Sequence, residues 1–358
     1  MSMILTVSDP LPGTAWVRVR DSRQRLHWRI CVASESSSYI GGPPAGGDRS
    51  QHGKVTHGAH YTVAGGTRLG PLSVAVWVSC GGAHLDDASV RAYNRQQLSW
   101  EEAPLIELAK RAARCAAQIL MDMYQQPMEV RVKGERDIVT AADVAAEAAV
   151  MQEILAGCPD AWIISEETHS RRMSDADRPT WYIDPLDGTT NYARGYPSFS
   201  VSIAMAQRGN LICGAVYDPL QNHLFWAERG KGAWLNDAPL RVSERSVLLE
   251  SILLLDWPRD QQIRQKSAQA LAALVPLTEA VRSTGSAALS LCYLAAGWAD
   301  LYFQYTLKPW DVAAGALIIE EAGGHLSGID GRPYALEQPD WLASNGRLHR
   351  AVLETGAF

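Results

Sequence analysis

Acidic residues recur in four groups along this chain of 358 residues: Asp143, the pair Glu166-Glu167, Asp184 with Asp187, and Asp311. The last three follow apolar or loop segments, Ile163-Ile164-Ser165, Trp181-Tyr182-Ile183 and Leu307-Lys308-Pro309-Trp310. A carboxylate at the end of a buried strand is costly unless something pairs with it. Neither Lys nor Arg occurs in residues 183–192, so the local sequence offers no cationic side chain as partner. A few hard oxygen donors drawn from separate segments suit Mg²⁺.

Residues 184–191, Asp-Pro-Leu-Asp-Gly-Thr-Thr-Asn, can be read atom by atom. Pro185 keeps the residue before it extended, which aims Asp184 in a fixed direction. Asp187 stands three positions on, so a turn lets both carboxylates share one cation. Leu186 between them can offer its backbone carbonyl. Gly188 lets the backbone approach a ligand closely. If Thr189 opens a helical turn, its N–H groups face an anion and make a phosphate seat. Asp-Gly alone would be an ordinary surface turn; the Trp-Tyr-Ile run ahead of it sets this one apart.

These acids need elements to hold them. Leu105, Leu108, Ala109, Ala112, Ala113, Ala116, Ile119 and Leu120 recur at helical spacing and predict an amphipathic helix over 101–124. Thr140 offers an N-cap for a second helix running through 145–155. Strands are predicted at 162–164, 181–183, 200–206 and 211–217, then at 224–227 and 232–235 around the Gly230-Lys231-Gly232 turn. Further helices are expected at 262–274, 285–296 and 312–322. Helices and strands mix without strict βαβ alternation, which favours an α+β layered sandwich over a dinucleotide-binding sheet.

The chain changes character near residue 100. Residues 1–100 are rich in Gly, Ser, Arg and His, with short strand-like pieces at 15–19 and 72–78 and little periodic apolar pattern. They are expected to be a poorly ordered extension or sequence ahead of the true start, a small accessory module being the third option. Five of the nine histidines (His27, His52, His57, His60 and His84) fall here without metal-ligand spacing. A formal net charge of -6 gives no electrostatic case for nucleic-acid binding. The six cysteines (Cys31, Cys80, Cys115, Cys158, Cys213 and Cys292) form no CxxC pair and read as reduced thiols. No stretch approaches the roughly 20 apolar residues of a membrane span, and no signal-peptide pattern opens the chain. A cytoplasmic protein without membrane contact is expected.

Residues 181–191, Trp-Tyr-Ile-Asp-Pro-Leu-Asp-Gly-Thr-Thr-Asn, resemble the signature of the inositol monophosphatase family. Residues 310–324, Trp-Asp-Val-Ala-Ala-Gly-Ala-Leu-Ile-Ile-Glu-Glu-Ala-Gly-Gly, resemble its C-terminal signature. Lys133 with Asp137-Ile-Val-Thr-Ala-Ala-Asp143, Ile164-Ser-Glu-Glu167, Gly230-Lys-Gly-Ala-Trp-Leu-Asn236 and Gly285-Ser-Ala-Ala288 fall in the family's order. The resemblance covers about 101–358. It implies a layered αβαβα sandwich of the inositol monophosphatase and fructose-1,6-bisphosphatase type, within a magnesium-dependent, lithium-sensitive superfamily, and a homodimer.

Carried over residue by residue, the resemblance implies a first metal site from Glu166, Asp184 and the Leu186 carbonyl. The second comprises Asp184, Asp187 and Asp311, so Asp184 bridges. A third magnesium, held mostly by water near Glu166, brings the count to two or three. Thr189 and Asp143 match the pair that orients the attacking water alongside Glu166, and Gly188 with Thr189 match the phosphate-binding backbone. Asp187 also faces the substrate, and Glu167 supports the ligands without binding metal. One departure is Ser165, where the family often has Gly before the two glutamates.

The implied activity is hydrolysis of a small phosphorylated polyol or sugar, inositol 1-phosphate first, by direct attack of metal-bound water. Gly285, Ser286 and Ala287 match the segment lining the polyol pocket, with Ser286 donating to a hydroxyl. Gln304 stands where inositol-preferring members commonly carry Glu, and a neutral amide accepts a hydroxyl less strongly than a carboxylate. Lys308 could welcome a second anionic group. Fructose-1,6-bisphosphatase, histidinol-phosphate phosphatase and nucleotide 3′-phosphatase activities are therefore alternatives. A non-catalytic regulatory protein on the same fold is the alternative of a different class, and the retained acids argue against it.

Overall fold

A computed structural model describes residues 104–127, 129–168 and 178–358, together with the backbone of four strands nearer the start of the chain. The chain divides into two compact units, Met1–Gln97 and Leu98–Phe358. In the first, β1 (Ile4–Ser8) pairs antiparallel with β2 (Trp16–Arg20), and β3 (His57–Val63) pairs antiparallel with β4 (Leu72–Val78). The strand-like pieces expected at 15–19 and 72–78 correspond to β2 and β4. The expectations for Cys31, Cys80, His27, His52 and His84, and for the side chains of His57 and His60, lie outside the described residues.

The second unit begins with α1 (Leu105–Met123), the hairpin β5 (Val130–Gly134) and β6 (Asp137–Thr140), and α2 (Ala141–Gly157). A seven-stranded sheet follows from β7 (Trp162–Ser165), β8 (Thr180–Asp187), β9 (Ser200–Gln207), β10 (Asn210–Asp218), β11 (His223–Glu228), β12 (Ala233–Leu235) and β13 (Ala238–Pro239). A five-residue helix, α3 (Thr189–Ala193), sits directly after β8. The strands neighbour one another in chain order, parallel between β7 and β8 and antiparallel thereafter.

The rest of the chain builds a second sheet from β14 (Ile252–Leu255), β15 (Ala280–Arg282), β16 (Leu301–Gln304), β17 (His325–Ser327) and β18 (Trp341–Ser344). Their spatial order is β15-β14-β16-β18-β17, parallel in the first two pairings and antiparallel in the last two. Helices α4 (Gln261–Leu274), α5 (Ala287–Ala295) and α6 (Pro309–Glu321) lie between them in sequence, and α7 (His349–Leu353) follows β18.

Side-chain alternation sorts these elements into layers. Trp181 and Ile183 of β8, with Val201, Ile203 and Met205 of β9, pack in one cluster with the apolar faces of α1 and α2. Tyr182, Ala204 and Ala206 from the same strands pack in another cluster with α5 and α6. That cluster also takes Leu254, Tyr302, Trp341 and Ala343 from the second sheet. Leu253, Leu255, Leu301, Phe303 and Leu342, from the opposite face, close on Ala270 and Leu274 of α4 and Val352 of α7. The result is an αβαβα sandwich, α1 and α2 outside one sheet, α5 and α6 between the sheets, α4 and α7 outside the other. Because strand side chains alternate with period two, a one-residue slip of β8 would exchange its two packed faces and turn its acids with them. The four described cysteines are free thiols.

His349 marks a pH-sensitive point far from the acids in sequence. It is buried, its ring nitrogens share hydrogen bonds of 2.9 Å with the hydroxyls of Ser327 and Ser344, and its ring meets His325 edge-on. Burial, then His325, lowers its pKa from 6.5 to about 4. Between those values the unfolded chain holds more protons than the folded one, so stability is lost as pH falls, by up to about 3 kcal/mol. His349→Asn should flatten that part of the pH–stability curve. Urea unfolding at about pH 6.5 and about pH 4 checks this, and an unchanged slope contradicts it.

Candidate active site

The regular pairing of β8 with β9 ends at a bulge between Asp184 and Asp187, where Asp184 faces Ser202 and Asp187 faces Ser200. Pro185, which has no N–H to give a ladder, lies inside that bulge. Both acids are buried, at 1% and 9% exposure. Asp184 Oδ1 accepts from the Leu186 N–H at 3.0 Å, which curls the chain between them. Gly188 follows at φ 97°, and a Cβ there would lie 3.0 Å from the Ser198 carbonyl and 3.3 Å from that of Gly285. Only glycine takes this turn without strain, and α3 starts at the next residue. Tyr192 in α3 donates its buried hydroxyl to the Leu120 carbonyl of α1 at 2.7 Å, tying the turn to the outer layer.

Thr189 and Asp143 meet across 46 positions of sequence, the Thr189 hydroxyl lying 3.0 Å from Asp143 Oδ1 and 3.1 Å from the Leu186 carbonyl. One hydroxyl has one proton, and the carboxylate is the stronger acceptor. Asp143 Oδ2 accepts from the Thr140 N–H at 2.8 Å and its hydroxyl at 2.5 Å, closing a capping box at the start of α2. Helix capping thus fixes the group that fixes Thr189.

Asp187 is held from the other side. Ser286, the N-cap of α5, donates to its Oδ2 at 2.5 Å, and the Ala288 and Ala287 N–H groups approach it at 2.8 and 3.3 Å. The family resemblance sets Ser286 against a polyol hydroxyl. The structure gives that hydroxyl to Asp187 and buries the residue completely, while Gly285 is the exposed member of the 285–287 segment. Ala287 likewise is buried and contributes its N–H to Asp187. Gln304 is half-buried at the end of β16, where its Oε1 accepts from the Tyr302 hydroxyl at 3.0 Å.

Glu166 and Glu167 follow β7. Glu147 of α2 accepts from the N–H groups of Glu167 and Thr168 and from the Thr168 hydroxyl, which secures this turn. Lys133 of β5 reaches Glu166 at 3.2 Å and Glu167 at 2.8 Å, and Arg259 lies 3.6 Å from Glu166 and 3.1 Å from Asp137. Burial alone would lower the pKa of Lys133, but Glu166, Glu167 and Asp137 raise it on balance. The cations thus reach Glu166 from β5 and from the segment after β14. Asp311, half-buried in the first turn of α6, accepts from the Lys308 N–H at 2.7 Å.

The acids disturb one another. Burial, followed by Glu166, Asp187 and Asp311, pushes Asp184 well above the ordinary carboxylate range. Burial pushes Asp187 up to about 7 against the opposing bonds from Ser286 and Ala288. Burial and then Glu166 raise Asp311, and burial raises Asp143 against its bonds from Thr140 and Thr189. Among the described residues no three acidic, imidazole or thiol groups are gathered as a preformed cage. The donors are nonetheless the right kind for a hard divalent cation: carboxylates from three segments and a carbonyl, in a place where burial, then like charges, holds carboxyls toward neutrality.

Residues that carried no role in the sequence reading complete the site. Asn191 Nδ2 donates to the carbonyls of Ser198 at 2.7 Å and Thr284 at 2.9 Å, bridging the turn after β8 to the turn before α5. Asp256 directly follows β14 and is buried among donors from residues 283–290. Its signal was present in the sequence, an acid closing the apolar run Leu253-Leu254-Leu255. No comparable signal points to Arg259, whose role depends on tertiary contact.

A five-layer sandwich with buried acids at a strand-end bulge, beside a glycine turn and a short helix, defines a class of carboxylate-centred folds. Residues 101–356 match the inositol monophosphatase family, and the chain belongs to it. It is 40% identical over 253 residues to the Nus factor SuhB of Haemophilus influenzae, covering 70% of this chain and 94% of that one. It is 36% identical over 259 residues to the chloroplastic phosphatase IMPL1 of Arabidopsis thaliana, covering 70% of each. The solved structure of an IMPase from Thermotoga maritima is similar with a TM-score of 0.64 at 32% identity, over 68% of this chain and 93% of that one. No described helix is long and apolar enough to cross a membrane.

Proposed function

We propose that this protein hydrolyses small phosphomonoesters in a Mg²⁺-dependent reaction, with inositol 1-phosphate as its preferred substrate. The observation that carries this is the junction of Asp184 and Asp187 at the β8 bulge with the Thr189–Asp143 pair. Metal-binding and water-orienting groups are then adjacent in one short turn. Glu166, Asp184, Asp187, Asp311 and the Leu186 carbonyl are the groups that would hold two or three Mg²⁺ ions. Bound Mg²⁺ supplies positive charge against the phosphate and lowers the pKa of water.

The remaining work falls to the chain. Thr189, its proton committed to Asp143, keeps its oxygen lone pairs for a proton of the attacking water, and Asp143 holds that geometry. Gly188 brings backbone close to the phosphate. Gln304, its oxygen engaged by Tyr302, has its amide N–H groups to donate to a polyol oxygen.

A phosphate-release panel tests the substrate. With Mg²⁺, inositol 1-phosphate should give a higher kcat/KM than fructose 1,6-bisphosphate, histidinol phosphate or 3′-phosphoadenosine 5′-phosphate. A rival better by about tenfold, or about 1.4 kcal/mol of transition-state stabilisation, would replace it while leaving the reaction class intact. The Nus-factor name of the bacterial relative favours a second reading, a non-catalytic regulatory protein on the same fold. Turnover in this panel would exclude that non-catalytic reading.

A further inference from the structure

Asp256 stands outside the set of residues that touch metal or phosphate, yet its hydrogen bonds lead to that set. It follows Leu255 at the end of β14 and is 7% exposed. Its Oδ1 accepts from the Gly285 N–H at 2.6 Å and the Ser283 hydroxyl at 3.0 Å, and its Oδ2 from the Ser290 hydroxyl at 3.1 Å. The Thr284 hydroxyl lies 3.5 Å from Oδ2 and 2.7 Å from the Ser290 hydroxyl. One carboxylate therefore fastens the whole turn 283–285 to the second turn of α5.

That turn is where Asp187 is held. Gly285 has φ 74°, and a Cβ on it would fall 2.5 Å from the Asn191 amide. Asn191 in turn donates to the Thr284 carbonyl. The next three residues supply Asp187 with the Ser286 hydroxyl and the Ala287 and Ala288 N–H groups. A shift of the 283–285 turn would carry the start of α5 with it and rotate the Asp187 carboxylate.

We infer that Asp256 is a positioning residue for Mg²⁺ binding, acting through Gly285 and the α5 N-terminus to set the orientation of Asp187. This rests on Asp187 being a Mg²⁺ ligand, as proposed above. Apolar packing cannot replace it, because the Gly285 N–H and the Ser283 and Ser290 hydroxyls would lose their common acceptor. Asparagine can. Its Oδ1 keeps the Gly285 and Ser283 donors, and its Nδ2 can donate to the Ser290 and Thr284 hydroxyl oxygens, which also accept.

The test is a Mg²⁺ titration of the full chain, read by the rise in unfolding temperature and, separately, by phosphate release. Asp256→Ala should raise the Mg²⁺ concentration for half-maximal effect about tenfold or more in both readouts, as loss of a residue supporting a metal ligand does. At saturating Mg²⁺ its substrate KM should stay within about twofold of wild type. Asp256→Asn should stay within about threefold of wild type in Mg²⁺ requirement. An Ala variant with the wild-type Mg²⁺ response overturns the inference, as do Ala and Asn variants displaced equally. If Asp256→Ala does not fold, Ser290→Ala removes one donor to the same carboxylate and should raise the requirement about threefold; no change overturns the inference. Wild-type protein stabilised by Mg²⁺ but inactive on every phosphomonoester would sink the hydrolysis proposal, and the stabilisation readout would still decide Asp256. Wild-type protein indifferent to Mg²⁺ would sink both.

Discussion

Asp184→Asn should lower Mg²⁺-dependent phosphate release by about 10³-fold or more, because in the proposed site it removes a carboxylate that would hold Mg²⁺, and bound metal would supply several kcal/mol of transition-state stabilisation there. It should do so without unfolding the protein. Asparagine has nearly the shape of aspartate, and its Oδ1 can still accept the Leu186 N–H that curls the turn. Asp184 is also a buried charge among Glu166, Asp187 and Asp311, which hold its carboxyl well above the usual range after burial itself. A group whose folded pKa is raised favours the folded state most when protonated, and that contribution is lost as pH rises through the raised value. In the absence of Mg²⁺, wild type should therefore gain stability from its buried carboxyls as pH falls, and Asp184→Asn should gain less, with Asp187, Asp311 and Asp143 still carrying raised pKa values. Thermal unfolding in a chelator across pH, beside phosphate release at saturating Mg²⁺, measures both. Activity near that of wild type would remove Asp184 from the site.

Thr189→Ala should be the second-largest loss, about 10²–10³-fold in kcat, the range of a positioned proton-transfer group. The Thr189 methyl is not the issue. The hydroxyl lies 3.0 Å from Asp143, so losing it leaves a buried carboxylate with the two Thr140 donors alone, and in the proposed reaction it would leave the attacking water without an oriented acceptor. Thr189→Ser restores the hydroxyl and should recover activity to within about tenfold of wild type. The Mg²⁺ requirement should move little, since the Thr189 hydroxyl donates to Asp143, and neither side chain is among the groups proposed to hold Mg²⁺. Serine and alanine variants equally impaired would contradict the role given to the hydroxyl.

Most of the first sheet and its helices were legible because their patterns are long. The helical repeat from Leu105 to Leu120 and the β9–β10 pair carry many apolar positions each, and both appear nearly where the periodicity puts them. The second sheet was not legible. Its strands are three or four residues long, such as Ile252–Leu255 and His325–Ser327, too short to establish a period of two. The β5–β6 hairpin, exposed along β5, likewise had no apolar alternation to announce it.

For the site, the contrast follows from where the information resides. Asp184 to Thr189 are contiguous, and Pro, Gly and paired acids constrain a turn by local geometry. Ser286 shows the opposite case. Position in a familiar segment suggested contact with a polyol, but its hydroxyl is spent on Asp187, 99 residues earlier in the chain. Lys133 and Arg259 reach Glu166 from segments 33 and 93 residues away, and no local pattern marks a side chain as the counter-charge of another. The turn that carries Asp184 and Asp187 was readable; what holds each acid became visible once the layers brought distant turns together.

The central claim is that the β8 bulge is a Mg²⁺-dependent phosphomonoester hydrolase centre. Phosphate release from inositol 1-phosphate, measured on wild type and Asp184→Asn across a Mg²⁺ titration that starts from chelated protein, tests it most directly. The expected result is no release without Mg²⁺, saturable release from wild type as Mg²⁺ is added, and almost none from the variant at any concentration. Release that ignores Mg²⁺, or equal curves for the two proteins, would contradict it.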